Sequence, residues 1–551
     1  MGLNDSKHRK SLLWVSTIGL VTFIAVFGYI YFEKSHITID NADKVYNLHD
    51  KKKYIDALQI AMQFFDVQKA GKLENNKIEW RGDSSLDDGK EANLDLSKGM
   101  YDDGSHMKST YTMSSTAAIL SWVILEYGAR MKSVNQLEPA CDSLKWITDY
   151  LINTHPEPNK LCIQVGDPDV DHNCWERPET MDEARTLLIA NKTSPASDIA
   201  AETAAALASA SMVFKIKDPN YSEELLHHAE QLFNFAYGFQ KMANNSFPDM
   251  ANYYKNSNDI DEIMWASVWL YHATDDAKYR MIMLEYRYGD PQYQDMFSFT
   301  NKLGGAEHLW LRLHLFGTAP TVDAGEEDSL VVAYNEFLCN LPVGPESEDA
   351  STARRYDDPM FSSTTLELRL PHASKRAMVA SGFEPSNTNQ YPAAYGFIAL
   401  LCSDYMLATK QEVITCTGSG NQMKRKDFYN FALKQADYIL GENKQNMSYL
   451  IGFGSKYPQQ VYHRGSSIPG DENPSCKEGL KWLWSSKPNP NVATGGLIGG
   501  QCTALPFNNS RVTTLKQTEP NIFNSALLVG LLSGLVSTTP VGKTLTPPTK
   551  L

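Results

Sequence analysis

From about residue 50 onward the chain repeats one pattern, in which apolar residues recur at i, i+3, i+4 and i+7 and polar residues fill the gaps. It appears in YIDALQIAMQFFDVQKA, STAAILSWVILEYGARM, ACDSLKWITDYLINT, DIAAETAAALASASMVF, LLHHAEQLFNFAYGF, DEIMWASVWLYHATD, GGAEHLWLRLHLF, AAYGFIALLCSDYML, KDFYNFALKQADYIL and NSALLVGLLSGLV. Each predicts a helix with one apolar face. Long loops rich in Gly, Pro, Asn, Tyr and Trp separate them, and nothing reads as β-rich. Ten or more antiparallel helices joined in this way predict an all-α fold of hairpins, stacked or closed into a ring, with function carried on the loops at one end.

The start of the chain is patterned differently. Ser11 to Phe32, SLLWVSTIGLVTFIAVFGYIYF, is free of charge over roughly 22 residues, the length a helix needs to cross a bilayer. It lacks a small-residue cleavage site and exceeds a signal-peptide apolar region, so it predicts an uncleaved signal anchor. The basic cluster Lys7-His8-Arg9-Lys10 before it predicts a cytosolic N-terminus. The expected organisation is a cytosolic tail at 1–10, a transmembrane anchor at 11–32, a polar stem at 33–50, a folded domain at 51–537 and a Pro/Thr-rich disordered tail at 538–551. The expected product is a single-pass type II membrane protein with a luminal or extracellular body. MGLNDS also fits an N-myristoylation pattern at Gly2, but a spanning helix makes a lipid anchor unnecessary.

Composition narrows the partners. The 551 residues are 42% hydrophobic and 21% charged, an ordinary globular mixture, and the net charge of -14 argues against nucleic acid, which demands a concentrated basic surface. Sequons at Asn191, Asn220, Asn244, Asn446 and Asn508 suit a secretory-pathway body. The eight cysteines show no CxxC pair and no zinc-like spacing with histidine. One or two disulfides are permitted, Cys162 with Cys174 being closest in sequence, and buried free thiols are the alternative.

The loops carry the candidate chemistry. WRGDSSLDDG and YDDGSHMKS present Asp83, Asp87, Asp88, Asp102 and Asp103; YPQQVYHRGSSIP presents His463 and Arg464; NNSRVTTLKQTEPNIFNSALL presents Arg511 and, just before a helix, Glu519. Hydrolysis of a glycosidic bond needs one carboxylic acid to protonate the leaving oxygen, a second carboxylate to activate water, and aromatic faces for the sugar rings. Taken singly, an acidic loop residue is more often solvated or a helix cap, and a glutamate before a helix is often a dipole partner.

Taken in order, WRGDSSLDDG, CWERPETMDEAR, SDIAAETAAALASASMVF, DYILGENKQNMSYLIGFGSKYPQQVYHRGSSIP, KWLWSSKPNPN and the final TEP resemble glycoside hydrolase family 9, from Tyr54 to Leu535. Within that family of inverting endo-β-1,4-glucanases, the anchor and basic cluster resemble the membrane-anchored plant KORRIGAN type. The resemblance implies an (α/α)6 barrel ectodomain, a β-1,4-glucan substrate and an open cleft on the loop-bearing face. It also suggests association with a cellulose synthase complex. Glu519 falls at the catalytic acid, and Asp102 at the first aspartate of the base loop. His463 and Arg464 fall on a loop that binds sugar hydroxyls; Trp80, Trp265 and Arg511 join the binding set, although the tryptophans could equally be core. The chemistry demands no cofactor and no metal; calcium is structural in parts of the family, but no ligands for it can be picked out here.

The sequence departs from the family pattern where the chemistry is concentrated. Ser105 stands where the resemblance places the base, and a serine hydroxyl is a poor proton acceptor. Asp103 occupies an alanine position, Asn509 an aspartate position and Tyr462 a histidine position, while FSFTNK lacks a Trp and an Asp. Two functions therefore stand side by side: a glucanase with Glu519 as acid and Asp102, with Asp103, recruited as base; or a family member that binds glucan without cutting it.

Overall fold

The computed structural model describes residues 51–545 apart from 253, 255, 257, 290–296, 319–334, 336–337, 340–386, 417–419, 501–506 and 513–514. The chain divides into two compact units, Met1–Tyr54 and Ile55–Leu551. Only 51–54 of the first are described, and they are helical. The predicted tail, anchor and stem lie outside the described residues; no described helix is long and apolar enough to cross a membrane.

In the second unit, helix α1 (Gln63–Gln68) precedes a short strand β1 (Lys108–Ser109) and then α2 (Thr110–Ser133), α3 (Leu137–Thr154), β2 (Lys160–Val165), α4 (Pro168–His172), β3 (Leu187–Asn191), α5 (Ser197–Phe214) and α6 (Pro219–Gly238). There follow α7 (Ile260–Thr274), α8 (Ala277–Gly289), α9 (Leu303–Leu315), α10 (Gln390–Thr409), β4 (Val413–Thr415), β5 (Gln422–Lys424), α11 (Arg425–Leu440), α12 (Arg464–Ser467) and α13 (Leu480–Leu483). The described chain closes with β6 (Leu497–Ile498), α14 (Leu515–Thr518), β7 (Pro520–Asn521) and α15 (Ile522–Leu535). The strands are short antiparallel ties: β1, β2 and β3 form one sheet, β4 pairs with β5, and β6 with β7.

Six helices pack in chain order, α2 on α5, then α7, α9, α10 and α15, and α15 returns to α2. The ring therefore closes, as an (α/α)6 barrel requires. The helix pattern also explains which helices line it. α5 and α15 are buried along every residue, as a helix apolar all round must be. α3 and α6, with one apolar stripe each, lie outside against α2 and α5. Trp122 sits at the centre of the core, with ring centroids 5.6 Å from Trp265, 6.2 Å from Trp269, 6.0 Å from Phe297 and 5.2 Å from Phe397. Burying each such ring contributes on the order of 2–3 kcal/mol.

Two features differ from the sequence expectation. The tail is held, not disordered, over 538–545: Arg130 donates to Thr539 O at 2.6 and 2.9 Å, and Arg312 to Gly542 O at 2.6 Å and Lys543 O at 3.0 Å. These guanidiniums are buried, paired with Asp404 and Glu126, and the tail carbonyls satisfy their remaining donors. The disulfides join Cys174 to Cys476 and Cys339 to Cys416, while Cys162 is a buried free thiol. Cys162 is a buried residue within β2, paired with Ile189 of β3, whereas Cys174 lies beside the later loop, where Trp175 N donates to Cys476 O at 3.1 Å.

Candidate functional site

α2 and α15 are neighbours in the ring, so the loops entering them meet although 417 positions separate Asp102 from Glu519. Each helix starts with a side-chain cap: Ser109 Oγ accepts from Thr112 N, and Asn521 Oδ1 from Asn524 N. Asn521 does more, because its Nδ2 donates to the Asp103 carboxylate. The cap of one helix thus fixes the loop that enters the other.

Glu519 is fixed at both ends. Its carbonyl accepts from Gly499 N at 3.1 Å, and its Oε1 accepts from Gly104 N at 3.2 Å. Burial raises its pKa to about 8; the Asp102 charge adds to the rise, and the Gly104 hydrogen bond opposes it. Burial also raises Asp102, to about 6, against hydrogen bonding from Thr112 and Asp103. Asp102 Oδ1 is sealed from solvent and has no hydrogen-bond partner. Both carboxyls are held above the ordinary carboxylate range, Glu519 further than Asp102, the order that would suit an acid and a base.

The loop Asp102–Met107 is a tight turn. Asp103 takes φ 51°, Ser105 Oγ donates to Asp102 O at 2.9 Å and accepts from Met107 N at 3.3 Å. The Ser105 hydroxyl is therefore consumed in shaping the turn. Gly104 is required by close approach: a Cβ there would lie 2.0 Å from Tyr462 O.

Of the residues expected to touch sugar, four are buried and turned toward protein. Arg464, with no exposed surface, pairs with Asp171 at 2.6 Å and with Glu183 at 3.4 Å, and its backbone N donates to Gly104 O at 2.9 Å. It positions the Asp102–Met107 loop. His463 accepts from Ser466 N at Nδ1 (3.0 Å), so Nε2 carries the proton and donates to Gln68 Oε1 at 2.7 Å. Burial and the nearby Arg81 lower its pKa to about 3, which keeps the ring neutral. Gln68 Nε2 in turn donates to Tyr101 O at 3.1 Å and to Asp103 O, so His463 also braces the loop. Arg511 spends four bonds on one loop, to Trp482 O, Ser485 O, Lys487 O and Asn489 Oδ1 at 2.6–2.8 Å. Trp265 is 0% exposed and belongs to the core aromatic cluster, where no sugar can reach it. Trp80 alone of the five is half-exposed, its ring edge-on to His463 at 6.0 Å.

Sequence reasoning passed over Asp171, His106, Glu183, Gln68 and Asn521. Asp171 Oδ1 accepts from His106 N at 3.0 Å, and His106 Nδ1 lies 3.1 Å from Arg464, so Asp171 ties α4 to the Asp102–Met107 loop. The only signal was the acid-rich DPDVDHN, which reads as a solvated surface turn. Asn509 Oδ1 accepts from Gln460 N at 3.2 Å. Among the sequons, Asn220, Asn446 and Asn508 are exposed; Asn191 closes a turn on Thr193, and Asn244 Nδ2 donates to Asn256 O at 2.9 Å. Among the described residues one group, Cys174, Glu176 and Glu183, has metal-like spacing, but Cys174 is disulfide-bonded and offers no thiolate.

The profile of glycosyl hydrolase family 9 matches residues 54–532. Endoglucanase 24 of Oryza sativa subsp. japonica is 47% identical over 501 residues, covering 90% of this chain and 89% of that protein. Endoglucanase 2 of Arabidopsis thaliana is 46% identical over 492 residues, covering 88% and 90%. Among solved structures, the endoglucanase of the termite Nasutitermes takasagoensis superposes with a TM-score of 0.71 at 28% identity, covering 88% of this chain and 98% of that one. The cellulase Cel9M of C. cellulolyticum in complex with cellobiose gives 0.66 at 26% identity, covering 88% and 98%. With its closed helical ring and its paired carboxyl groups at two adjoining helix entrances, the chain belongs to glycosyl hydrolase family 9.

Proposed function

We propose that this chain is an endo-β-1,4-glucanase of the cellulase type, acting with inversion on a glucan chain outside the cytosol. Glu519 gives its proton to the leaving glycosidic oxygen. Asp102 takes a proton from the water that attacks the anomeric carbon on the opposite face. The carrying observation is the pair itself: two carboxyl groups at adjoining helix entrances, with pKa values pushed to about 8 and about 6. Support for the substrate comes from the plant relatives named endoglucanase and from the cellobiose complex of the bacterial cellulase. The uncharged segment at 11–32 supports attachment to a membrane as a signal anchor.

Ser105 favours a second reading. Its hydroxyl is closed into the turn and offers no base at the family's position. On that reading the chain binds glucan without cutting it, as a component associated with a cellulose-synthesising complex. Release of reducing ends from carboxymethyl cellulose separates the two. Activity that Glu519→Gln and Asp102→Asn each abolish supports the glucanase; a silent wild type that Ser105→Asp awakens supports the binder.

A further inference from the structure

One exposed side chain stands apart from the core and from the carboxyl pair. Trp484 is 66% exposed, more than any other large hydrophobic among the described residues; Met281 follows at 56%. A single apolar side chain in solvent is ordinary on a flexible surface. Trp484 is on a segment fixed from every side. Arg511 grips the carbonyls on both sides of it, at Trp482 and Ser485. Trp484 N donates to Leu480 O at 3.0 Å, Gln460 Nε2 to Ser486 O at 2.8 Å, and Asn489 Nδ2 to Val461 O at 3.0 Å. The Cys174–Cys476 disulfide anchors the segment's start.

The same segment is continuous with the site. Leu480, Trp482 and Leu483 pack on Trp175, Tyr462 and Ile468. Tyr462 O abuts Gly104, whose N–H holds Glu519. Trp482 is packed within this layer and has Lys481 Nζ 3.9 Å from its ring centroid, so its face is occupied. Trp484 is the indole left open.

We infer that Trp484 is a stacking platform for a pyranose ring of the glucan, extending the binding track beyond the carboxyl pair. A flat, rigid indole offers a large apolar face that matches the C–H face of a β-linked glucose unit. Because the loop is fixed beforehand, little conformational entropy is lost when sugar docks. The inference rests on the glucan-binding reading above and adds a dependence on chain length, because a platform outside the carboxyl pair is reached only by longer oligomers.

The test uses the full chain in detergent with Glu519→Gln, so that binding is measured without turnover, and titrates cello-oligosaccharides from two to six units. Trp484→Ala should bind the longer members about 3- to 10-fold more weakly and the shortest equally well, with an unchanged melting temperature, and Trp484→Phe should recover most of the loss. Equal affinity at every length would overturn the platform. An equal loss at every length would also overturn it, since it would report a displaced loop. If the parent binds no β-glucan of any length, the glucan reading falls and takes the platform with it; if the parent binds and Trp484→Ala is indistinguishable from it, the platform alone falls.

Discussion

Gly104→Ala is the sharpest test of how the site is built, because one methyl group strikes backbone. The new Cβ would lie 2.0 Å from Tyr462 O, where real contacts stay above 3.0 Å, so the two loops must part by about 1 Å. Gly104 does not sit at a positive φ, so the penalty comes from space and not from dihedral preference. Parting would stretch Arg464 N to Gly104 O (2.9 Å) and Gly104 N to Glu519 Oε1 (3.2 Å) beyond hydrogen-bonding range. Two bonds at about 1 kcal/mol each, with about 1–3 kcal/mol of overpacking, give roughly 3–5 kcal/mol. At about 2.1 cal/mol/K of unfolding entropy per residue, a body of roughly 500 residues would melt ~3–5 °C lower. The lost N–H also lowered Glu519's pKa, so any alkaline limb of the rate profile should move above about 8. Calorimetry and a pH–rate profile on carboxymethyl cellulose read both effects. A melting point within about 1 °C of wild type and an unmoved limb would refute the close packing on which the site description depends.

Four other outcomes follow from the same geometry. On the proposed mechanism hydrolysis needs Asp102 ionised and Glu519 protonated, so kcat/KM should be highest between pH about 6 and about 8; in Asp102→Asn the residual rate should lose its acidic limb, and its alkaline limb should shift down because the Asp102 charge helps raise Glu519. Arg464→Met strands the buried Asp171 and half of its network and should cost about 3–5 kcal/mol in chemical denaturation; parity with wild type would show the pair to be dispensable. Replacing Cys174 and Cys476 with serine should cost about 2–5 kcal/mol, and denaturation with and without reductant would expose it as a smaller reductant sensitivity than the wild type's, the Cys339–Cys416 disulfide accounting for what remains. Truncation at 537 leaves the buried Arg130 and Arg312 donors without their tail carbonyls, and should destabilise by about 1–3 kcal/mol per arginine relative to a chain ending at 545.

Much of the architecture was legible because a helix advertises its buried face locally. The ten apolar-periodic segments are helical, but which of them form the inner ring is decided by burial in the structure. That Glu519 and Asp102 place carboxyl groups in two separate motifs was legible too. The roles of His463, Arg464 and Arg511 were not, because the motifs name residue types and not the directions in which side chains point. Their two loops carry buried side chains that brace neighbouring loops instead of facing outward. The tail misread has the same origin: a Pro/Thr-rich segment looks disordered until a buried arginine elsewhere needs its carbonyls.

By itself the sequence determined the helices, the loops between them, the uncharged stretch at 11–32 and the serine at position 105 of an otherwise acidic turn, since each depends on near neighbours in the chain. Only the tertiary structure decided that Asp102 and Glu519 share one buried environment, that Asn521 caps one helix while holding the loop of another, that Cys174 pairs with Cys476 and not Cys162, and that Trp484 stays open on a fixed loop. Burial, charge–charge proximity and close packing arise between residues hundreds of positions apart, and they exist only once the ring of helices has closed.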